Sequence, residues 1–388
     1  MTAEAGLPLS GYRILDLTHW GAGPVGVCHL ADMGAEVIKV EEPGKGEMLR
    51  GLFSTGGIHT IFYPHPVNYI YELANRGKKC IAVDLRQPRG REVIYRLVPQ
   101  CDALVSSLRK PALRRYGLDY PSLAALNPRL VYVHLSAFGP QGPDAELPGQ
   151  DLVARARSGM INMNRPHPEA PPVADSYISM GDTIASLQLA YAAVLALLDR
   201  DRTGTGQEVD VSILGAHLAA TEMLFQVYLA TGKEPVAPQR TEMRNPIRTI
   251  YKCRDGKWLA LGMTTGDKYW ADFCHAIGRP ELGHDPRFSS VEGRAQNYSQ
   301  AIALLDEAFA TRDRDEWCAL FRERDLICAP VQSYGEVASD PQVLANDYVV
   351  EVDLPNYGKL KEVVVTVGLS KAKAGPHRPA PEMGQHTE

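Results

Sequence analysis

From its twelfth residue the chain alternates between two apolar periods. YRILDL (12–17) is a short apolar run, PVGVCHLADMG (24–34) carries apolar residues at helical spacing, and EVIKVEEP (36–43) is again strand-like and closes at a proline. A strand period, a helical period and a second strand make a βαβ unit. The alternation resumes at CIAVDL (80–85), REVIYRLV (91–98), CDALVSSL (101–108), PSLAALN (121–127) and LVYVHLSAFG (130–139). Strands joined through helices pair in parallel, because each crossover returns the chain to the same end of the sheet. The spacing therefore predicts an α/β fold with a mostly parallel sheet and helices on both faces. Sheets of this kind bind ligands beyond the carboxyl ends of their strands, which places chemistry in the loops after residues 17, 41, 85, 108 and 135.

The 388 residues exceed what one core usually serves, so a second domain is expected. The texture changes near Leu224: Pro and Gly punctuate short strands around a DGKW hairpin signal at 255–258, and a helix-rich stretch follows to about residue 325. This predicts a large Rossmann-like domain over 1–223, a smaller α+β domain over 224–329, and a return to the large domain over 330–388. TIASLQLAYAAVLALLDRDR (183–202) reads as a core helix or a subunit contact. No apolar run is read as reaching the roughly 18 residues of a membrane helix.

With net charge −5 and scattered lysines and arginines, general nucleic-acid affinity is not suggested, and any anion site must be local. Seven cysteines form no C-x-x-C pair, and the opening MTAEAGLPLSG has neither a basic nor an apolar leader segment. A cytoplasmic protein with no metal centre and no membrane contact is expected.

Two features invite chemical readings. GAGPVG (21–26) matches a dinucleotide fingerprint, with Glu41 and Glu42 ending the next strand, so an NAD-dependent oxidoreductase is one reading and a glycine loop needed only for packing is another. The second feature is carboxylates near prolines: Glu169 before Pro171-Pro172, Asp182 in MGD, and Asp151 in PGQDLVARARSG. Each has a plain alternative as surface or helix-capping acid.

A longer pattern supersedes the six-residue one. LDLTHWGAGPVGVCHLADMGAEVIKVEEPGKGEMLR resembles the opening of family III CoA-transferases, the CaiB/BaiF group that also includes formyl-CoA transferase and the α-methylacyl-CoA racemases. LANRGKKCIAVDL, SSLRKPALRRYGLDYPSLAALNPRLVYVHLSAFGPQGP, PGQDLVARARSG, ISMGD, TGTGQEVDVSI and PEMGQHTE continue the match in order. The resemblance implies an interlocked homodimer and coenzyme A in the form of an acyl-CoA substrate; a heterodimer with a related subunit goes with the silent-subunit alternative below. It implies CoA contacts at Gly21, Ala22, Val83, Arg86, Ser107, Leu108, Arg109, Arg115, Ser136, Ala137 and Phe138, with Lys78 and Lys79 as further candidates for phosphate.

The activity implied is transfer of CoA from an acyl-CoA to an organic acid, through a carboxylate-bound anhydride and an enzyme–CoA thioester. The family's D-G-P-P aspartate aligns with Glu169, which ranks first as nucleophile, with Asp151 and Asp182 as substitutes. An added methylene at Glu169 also permits a catalytically silent CoA-binding subunit. Gln150 stands where the racemases carry a histidine and cannot accept a proton, which disfavours racemase chemistry. The glycine-rich loop of formyl-CoA transferase has no counterpart in 235–255, so oxalate and formate are not expected acids. His19, Trp20, His134, Tyr177 and Arg244 are further candidates for an acyl pocket. The family continues with a helix after GxHT, so the chain reads as cut short.

Overall fold

The computed structural model describes residues 6–388 except 53, 56–57, 60, 63–66, 166, 168, 175–178, 236–238, 355–357, 365–366 and 377. Tyr177 lies outside the described residues. The chain divides into two compact units: 1–164 with 172–235 and 341–388, and 165–171 with 236–340. Their limits lie at 235/236 and 340/341, where sequence texture suggested 224 and 330. The apolar segment after Leu224 stays helical to Thr231, and the second unit runs through the helical turn Tyr334–Val337 to Asp340.

The first unit is built on strands β1 (Arg13–Leu17), β2 (Glu36–Glu41), β7 (Lys79–Ala82), β8 (Ala103–Ser106), β9 (Val131–Ser136) and β10 (Glu208–Ser212). Between β2 and β7 lie four two-residue strands, β3 (Ser54–Thr55), β4 (Ile58–His59), β5 (Ile61–Phe62) and β6 (Val67–Asn68). The six long strands pair in parallel in the order β10-β9-β8-β1-β2-β7. Counted along the chain, that is the doubly wound Rossmann order, whose direction reverses between β1 and β8. Loops leaving these two neighbours diverge and open a crevice.

Helices α1 (Ala22–Asp32), α2 (Tyr69–Asn75), α3 (Pro88–Leu97), α4 (Lys110–Tyr116), α5 (Tyr120–Ala124), α6 (Asp151–Arg157), α7 (Met160–Met163), α8 (Met180–Thr203), α9 (Ile213–Ala220) and α10 (Glu222–Thr231) connect or follow the strands. Ile14, Val37, Val105, Val133, Val27, Leu30 and Leu189 form one buried layer, and Leu15, Leu104, Tyr132, Ile94 and Leu123 another. Burying each such aliphatic side chain stabilises the fold by about 1.5–3 kcal/mol.

Helix α8 differs from expectation. Its 24 residues, with mean hydropathy 1.5 over the most apolar window, meet the length and composition of a membrane span. Yet Ala185, Leu189, Ala193, Ala196 and Leu197 recur at helical spacing and are buried in the core. At Gly26 on α1 the two helices approach so closely that a Cβ would lie 2.8 Å from the Ser186 carbonyl oxygen. The last fingerprint glycine is thus explained by packing.

The tail of the first unit closes the β7 edge. The Cys80 amide donates to His386 Nδ1 at 3.2 Å, the His386 amide to the Cys80 carbonyl at 2.8 Å, and the Ala82 amide to Thr387 Oγ1 at 3.0 Å. An open edge is thereby covered. Of the strand read over 360–368, the part to Val363 belongs to β15 (Gly358–Val363), which pairs antiparallel with β14 (Val349–Leu354) in a separate two-stranded sheet.

The second unit packs an antiparallel sheet of β11 (Ile250–Lys252), β12 (Trp258–Leu261) and β13 (Cys328–Pro330) with helices α11 (Gly266–Ala276), α12 (Val291–Gln296), α13 (Tyr298–Phe309) and α14 (Arg314–Glu323). Tyr251, Trp270, Phe273, Phe309, Trp317 and Phe321 supply its aromatic core.

Candidate active site

Three buried charges fix the loop after β1. The Asp16 side chain, wholly inaccessible, lies 2.9 Å from Lys78 Nζ and 3.7 Å from Lys39 Nζ. Lys39 in turn donates to the Thr18 carbonyl at 2.9 Å, and Lys78 to the Pro24 carbonyl at 2.9 Å and to Asn75 Oδ1 at 3.0 Å. Both ends of the glycine loop are therefore held by ammonium groups. Sequence reasoning offered Lys78 and Lys79 to phosphate; instead Lys78 is committed to Asp16, and Lys79 pairs with Glu36.

Within that loop Trp20 has φ 67°, a left-handed conformation unusual for a bulky side chain. Its amide donates to Glu47 Oε1 at 2.7 Å. Burial raises the pKa of Glu47, and burial first and Lys39 second lower that of His19, which favours its neutral imidazole.

The loop forms one wall of a cavity of about 650 Å³ in the first unit. Its lining includes His19, Trp20, Gly21 and Ala22 after β1, Ser107, Leu108 and Arg109 after β8, and Ser136 and Ala137 from the end of β9. Gly149, Gln150, Asp151, Ser179 and Asp182 also line it. The cavity thus lies in the crevice at the reversal between β1 and β8.

Asp182 lies in the first turn of α8. A Cβ on Gly21, at the N-terminus of α1, would stand 3.0 Å from Asp182 Oδ2. The Asp182 amide donates to Asp151 Oδ1 at 3.2 Å. Asp151 starts α6 and is flanked by His217 Nε2 at 3.1 Å and Arg155 Nε at 3.6 Å. Gly181 makes this approach possible, since a Cβ there would fall 2.2 Å from His217 Nε2 and 2.6 Å from Asp151 Oδ1. Burial, with the Asp151 charge second, raises the Asp182 carboxyl to about 6.

The remaining predicted residues divide clearly. Gly21, Ala22, Ser107, Leu108, Arg109, Ser136 and Ala137 are brought together at the cavity, as are His19, Trp20 and His134. Phe138 is half-buried beside Gly149. Val83 lines a second recess of about 500 Å³ with Lys79, Arg89 and His386. Arg86 is exposed and engaged by Asp84 and Glu42 at 2.8 and 3.0 Å, and Arg115 is exposed over the Tyr116 ring. Arg244 is exposed in the second unit. Glu169 is exposed on the turn closed by the Ala170 amide and the His167 carbonyl, in the stretch grouped with the second unit.

His217 was not among the sequence candidates. It sits in the uniform run ILGAHLAA, which carries no signal of a carboxylate partner on another helix.

The geometry does not suit NAD. Glu41, the acid a dinucleotide fold would turn toward ribose, is buried and saturated by Arg50 at 2.8 and 2.9 Å, the Tyr71 hydroxyl at 3.0 Å and the Glu47 amide at 3.0 Å. The space beside Gly21, where a pyrophosphate would lie, faces the Asp182 carboxylate.

Comparison with known proteins identifies the family. The family model described as CoA-transferase family III matches residues 9–387. A succinyl-CoA–D-citramalate CoA-transferase of Chloroflexus aurantiacus is 32% identical over 381 residues, covering 98% of this chain and 92% of the relative. A succinyl-CoA:glutarate CoA-transferase of Mus musculus is also 32% identical, over 98% of this chain and 85% of its own. The crystal structure of Rv3272 from M. tuberculosis superposes with TM-score 0.85 at 29% identity, covering 98% of each chain.

Proposed function

The chain belongs to CoA-transferase family III, and from that premise we propose that it moves CoA between an acyl-CoA and an organic acid with Asp182 as the attacking carboxylate. The observation that carries this assignment is the position of Asp182: in the cavity, beside Gly21 and the start of α1, with its carboxyl raised by burial. A carboxylate with a pKa near 6 is still mostly ionised at pH 7 and is a stronger nucleophile than an ordinary aspartate.

In the proposed cycle Asp182 attacks the thioester carbonyl, the C–S bond breaks, and a mixed anhydride and CoA thiolate form. The thiolate attacks the Asp182 carbonyl, which expels the donor acid and leaves an Asp182–CoA thioester. An acceptor carboxylate then attacks that thioester, giving a new anhydride and thiolate. Attack of the thiolate on the acyl carbonyl releases the new acyl-CoA and restores Asp182. The first amides of a helix lack intrahelical partners, so those of α1 beside Asp182 are suited to hold the tetrahedral oxyanions. Asp151, tied to the Asp182 amide and to His217, positions the nucleophile. Ser107, Leu108 and Arg109 are proposed to hold the CoA moiety, with Arg86 and Arg115 offering charge to its phosphates.

The assignment is tested by incubating the protein with an acyl-CoA, trapping with hydroxylamine and mapping the modified peptide. A hydroxamate on Asp182 is expected; one confined to Glu169 would displace Asp182 from the role. The pH dependence offers a second check. Since the attacking form is the ionised one, kcat/KM should fall below an acid limb near pH 6. Asp151→Asn removes the second cause of the raised carboxyl and should move that limb to lower pH. An unmoved limb would dissociate Asp151 from Asp182.

A dimer is also proposed. Outside its buried stripe α8 exposes Leu187, Tyr191, Leu195 and Leu198, and α10 buries none of its residues while exposing Met223, Phe225 and Leu229. Apolar faces of this extent mark association surfaces. Sedimentation equilibrium should return twice the chain mass; a monomer at micromolar concentration would remove the proposal.

A further inference from the structure

The wall around Asp182 is apolar in one direction. Gly21, the residue against its carboxylate, is preceded by Trp20; Asp151, which accepts its amide, is followed on α6 by Leu152 and Val153. Leu147 joins them in the lining of the same cavity. Trp20, Leu147, Leu152 and Val153 are 38%, 52%, 45% and 52% exposed, so a large apolar surface in the first unit awaits cover within reach of the nucleophile.

The charged groups of the lining point the same way. Arg109 donates to the Glu146 carbonyl at 2.7 Å, Lys110 lies 3.2 and 3.1 Å from Glu208 and Asp210, and Arg155 faces Asp151. Among the described residues lining the cavity, Lys110 and Arg155 are thus paired with carboxylates, and Arg109 is the cation proposed to hold the CoA moiety. His134 is likewise held, between Asp210 and the Leu108 carbonyl. A second carboxylate on the acyl group would enter a site that already holds Asp182 and Asp151, and would exchange water for hydrocarbon. Desolvating a charge without a partner is strongly unfavourable.

Resting on the assignment of transfer through Asp182, we propose that the enzyme takes uncharged apolar acyl groups, branched or aromatic, derived from monocarboxylic acids, and discriminates against acyl groups carrying a second carboxylate. Trp20 and Leu152 are the specificity-determining residues. The aromatic face and the aliphatic side chain together receive the substituent, and the adjoining Gly21 and Asp151 keep Asp182 in register with the thioester.

The test compares CoA transfer from 4-methylpentanoyl-CoA and 3-phenylpropanoyl-CoA with transfer from succinyl-CoA and glutaryl-CoA to a common acceptor, alongside mapping of the Asp182 adduct. The apolar donors are expected to have kcat/KM higher by roughly 100-fold. Leu152→Arg supplies the missing cation at an exposed position and should narrow the gap at least about tenfold by improving the dicarboxylic donors. Leu147→Arg, in the preceding loop, gives the same readout if the helical variant folds poorly. Equal or better use of succinyl-CoA or glutaryl-CoA by the native enzyme, with the adduct on Asp182, would overturn the substrate class and leave the transfer mechanism standing. Absence of transfer and of any Asp182 adduct with all four donors would instead remove the mechanism, and the substrate class with it.

Discussion

Asp182→Asn should lower CoA transfer by roughly 1000-fold or more while leaving the protein folded and more stable at neutral pH. The amide fills the same volume but cannot form the acyl anhydride, so no step of the cycle survives. The stability effect follows from linkage. Burial raises the Asp182 carboxyl from 3.8 to about 6, and Asp151 adds to it. The folded state therefore binds this proton more tightly than the unfolded state, and stability falls as pH rises from about 3.8 to about 6. Above that window the native protein carries the full cost of an ionised buried carboxylate, on the order of 1–3 kcal/mol. The variant lacks that slope. Melting temperatures of the two proteins should differ clearly at pH 7 to 8 and converge below pH 4. Glu169→Gln, on an exposed turn, should leave turnover near the native value. Persistence of transfer in Asp182→Asn, or its loss in Glu169→Gln, would return the nucleophile to Glu169.

The parallel sheet was legible because its signal is periodic. Five of the six parallel strands, β1, β2, β7, β8 and β9, overlap a short apolar run followed by a helical or turn segment, and Leu17, Glu41, Ser106 and Ser136 end strands within two residues of the predicted loops. The place of the cavity was legible for the same reason: the loops leaving β1, β8 and β9 meet at one end of the sheet. The choice among its acids was not. Glu169 ranks first through neighbouring prolines and the aligned family pattern, whereas the proposal of Asp182 rests on burial and on charges brought from other elements. Asp182 acquires its environment from α1, α6 and, through Asp151, His217 on α9. None of these is its neighbour in sequence. Lys39 and Lys78 illustrate the same limit, because a lysine beside a strand reads as a surface cation until the fold closes over it. Helix α8 shows the converse: its composition alone fits a bilayer, and only packing against α1 and the sheet assigns its inner face to a protein core.

Asp16→Asn should destabilise the first unit by about 3–5 kcal/mol, the range for removing one member of a buried ionic cluster. Burial by itself would raise the Asp16 carboxyl, but Lys39 and Lys78, with hydrogen bonds from Thr18 and Lys78, outweigh it and leave the pKa lowered. Its charge thus stabilises the native state above the unfolded-state pKa, and that contribution is lost as pH falls through the lower folded value. The asparagine carbonyl can still accept from the Thr18 amide, now 2.8 Å from Asp16 Oδ1, but its NH2 replaces the Oδ2 that accepts from Lys78 at 2.9 Å, so the substitution removes that hydrogen bond together with the charge. Two ammonium groups would then remain in a site with no access to water. Because Lys39 and Lys78 also hold the Thr18 and Pro24 carbonyls, the loss should reach the active site: a displaced glycine loop would no longer meet Asp182. A misplacement of about 1 Å suffices for a rate loss on the order of 100-fold. Lys78→Met combined with Asp16→Asn should recover part of the stability, since the double variant buries one uncompensated charge fewer. Urea unfolding of the native protein and the two variants checks this; a loss below about 1 kcal/mol for Asp16→Asn, or no recovery in the double variant, would show that the buried charges do not hold the loop.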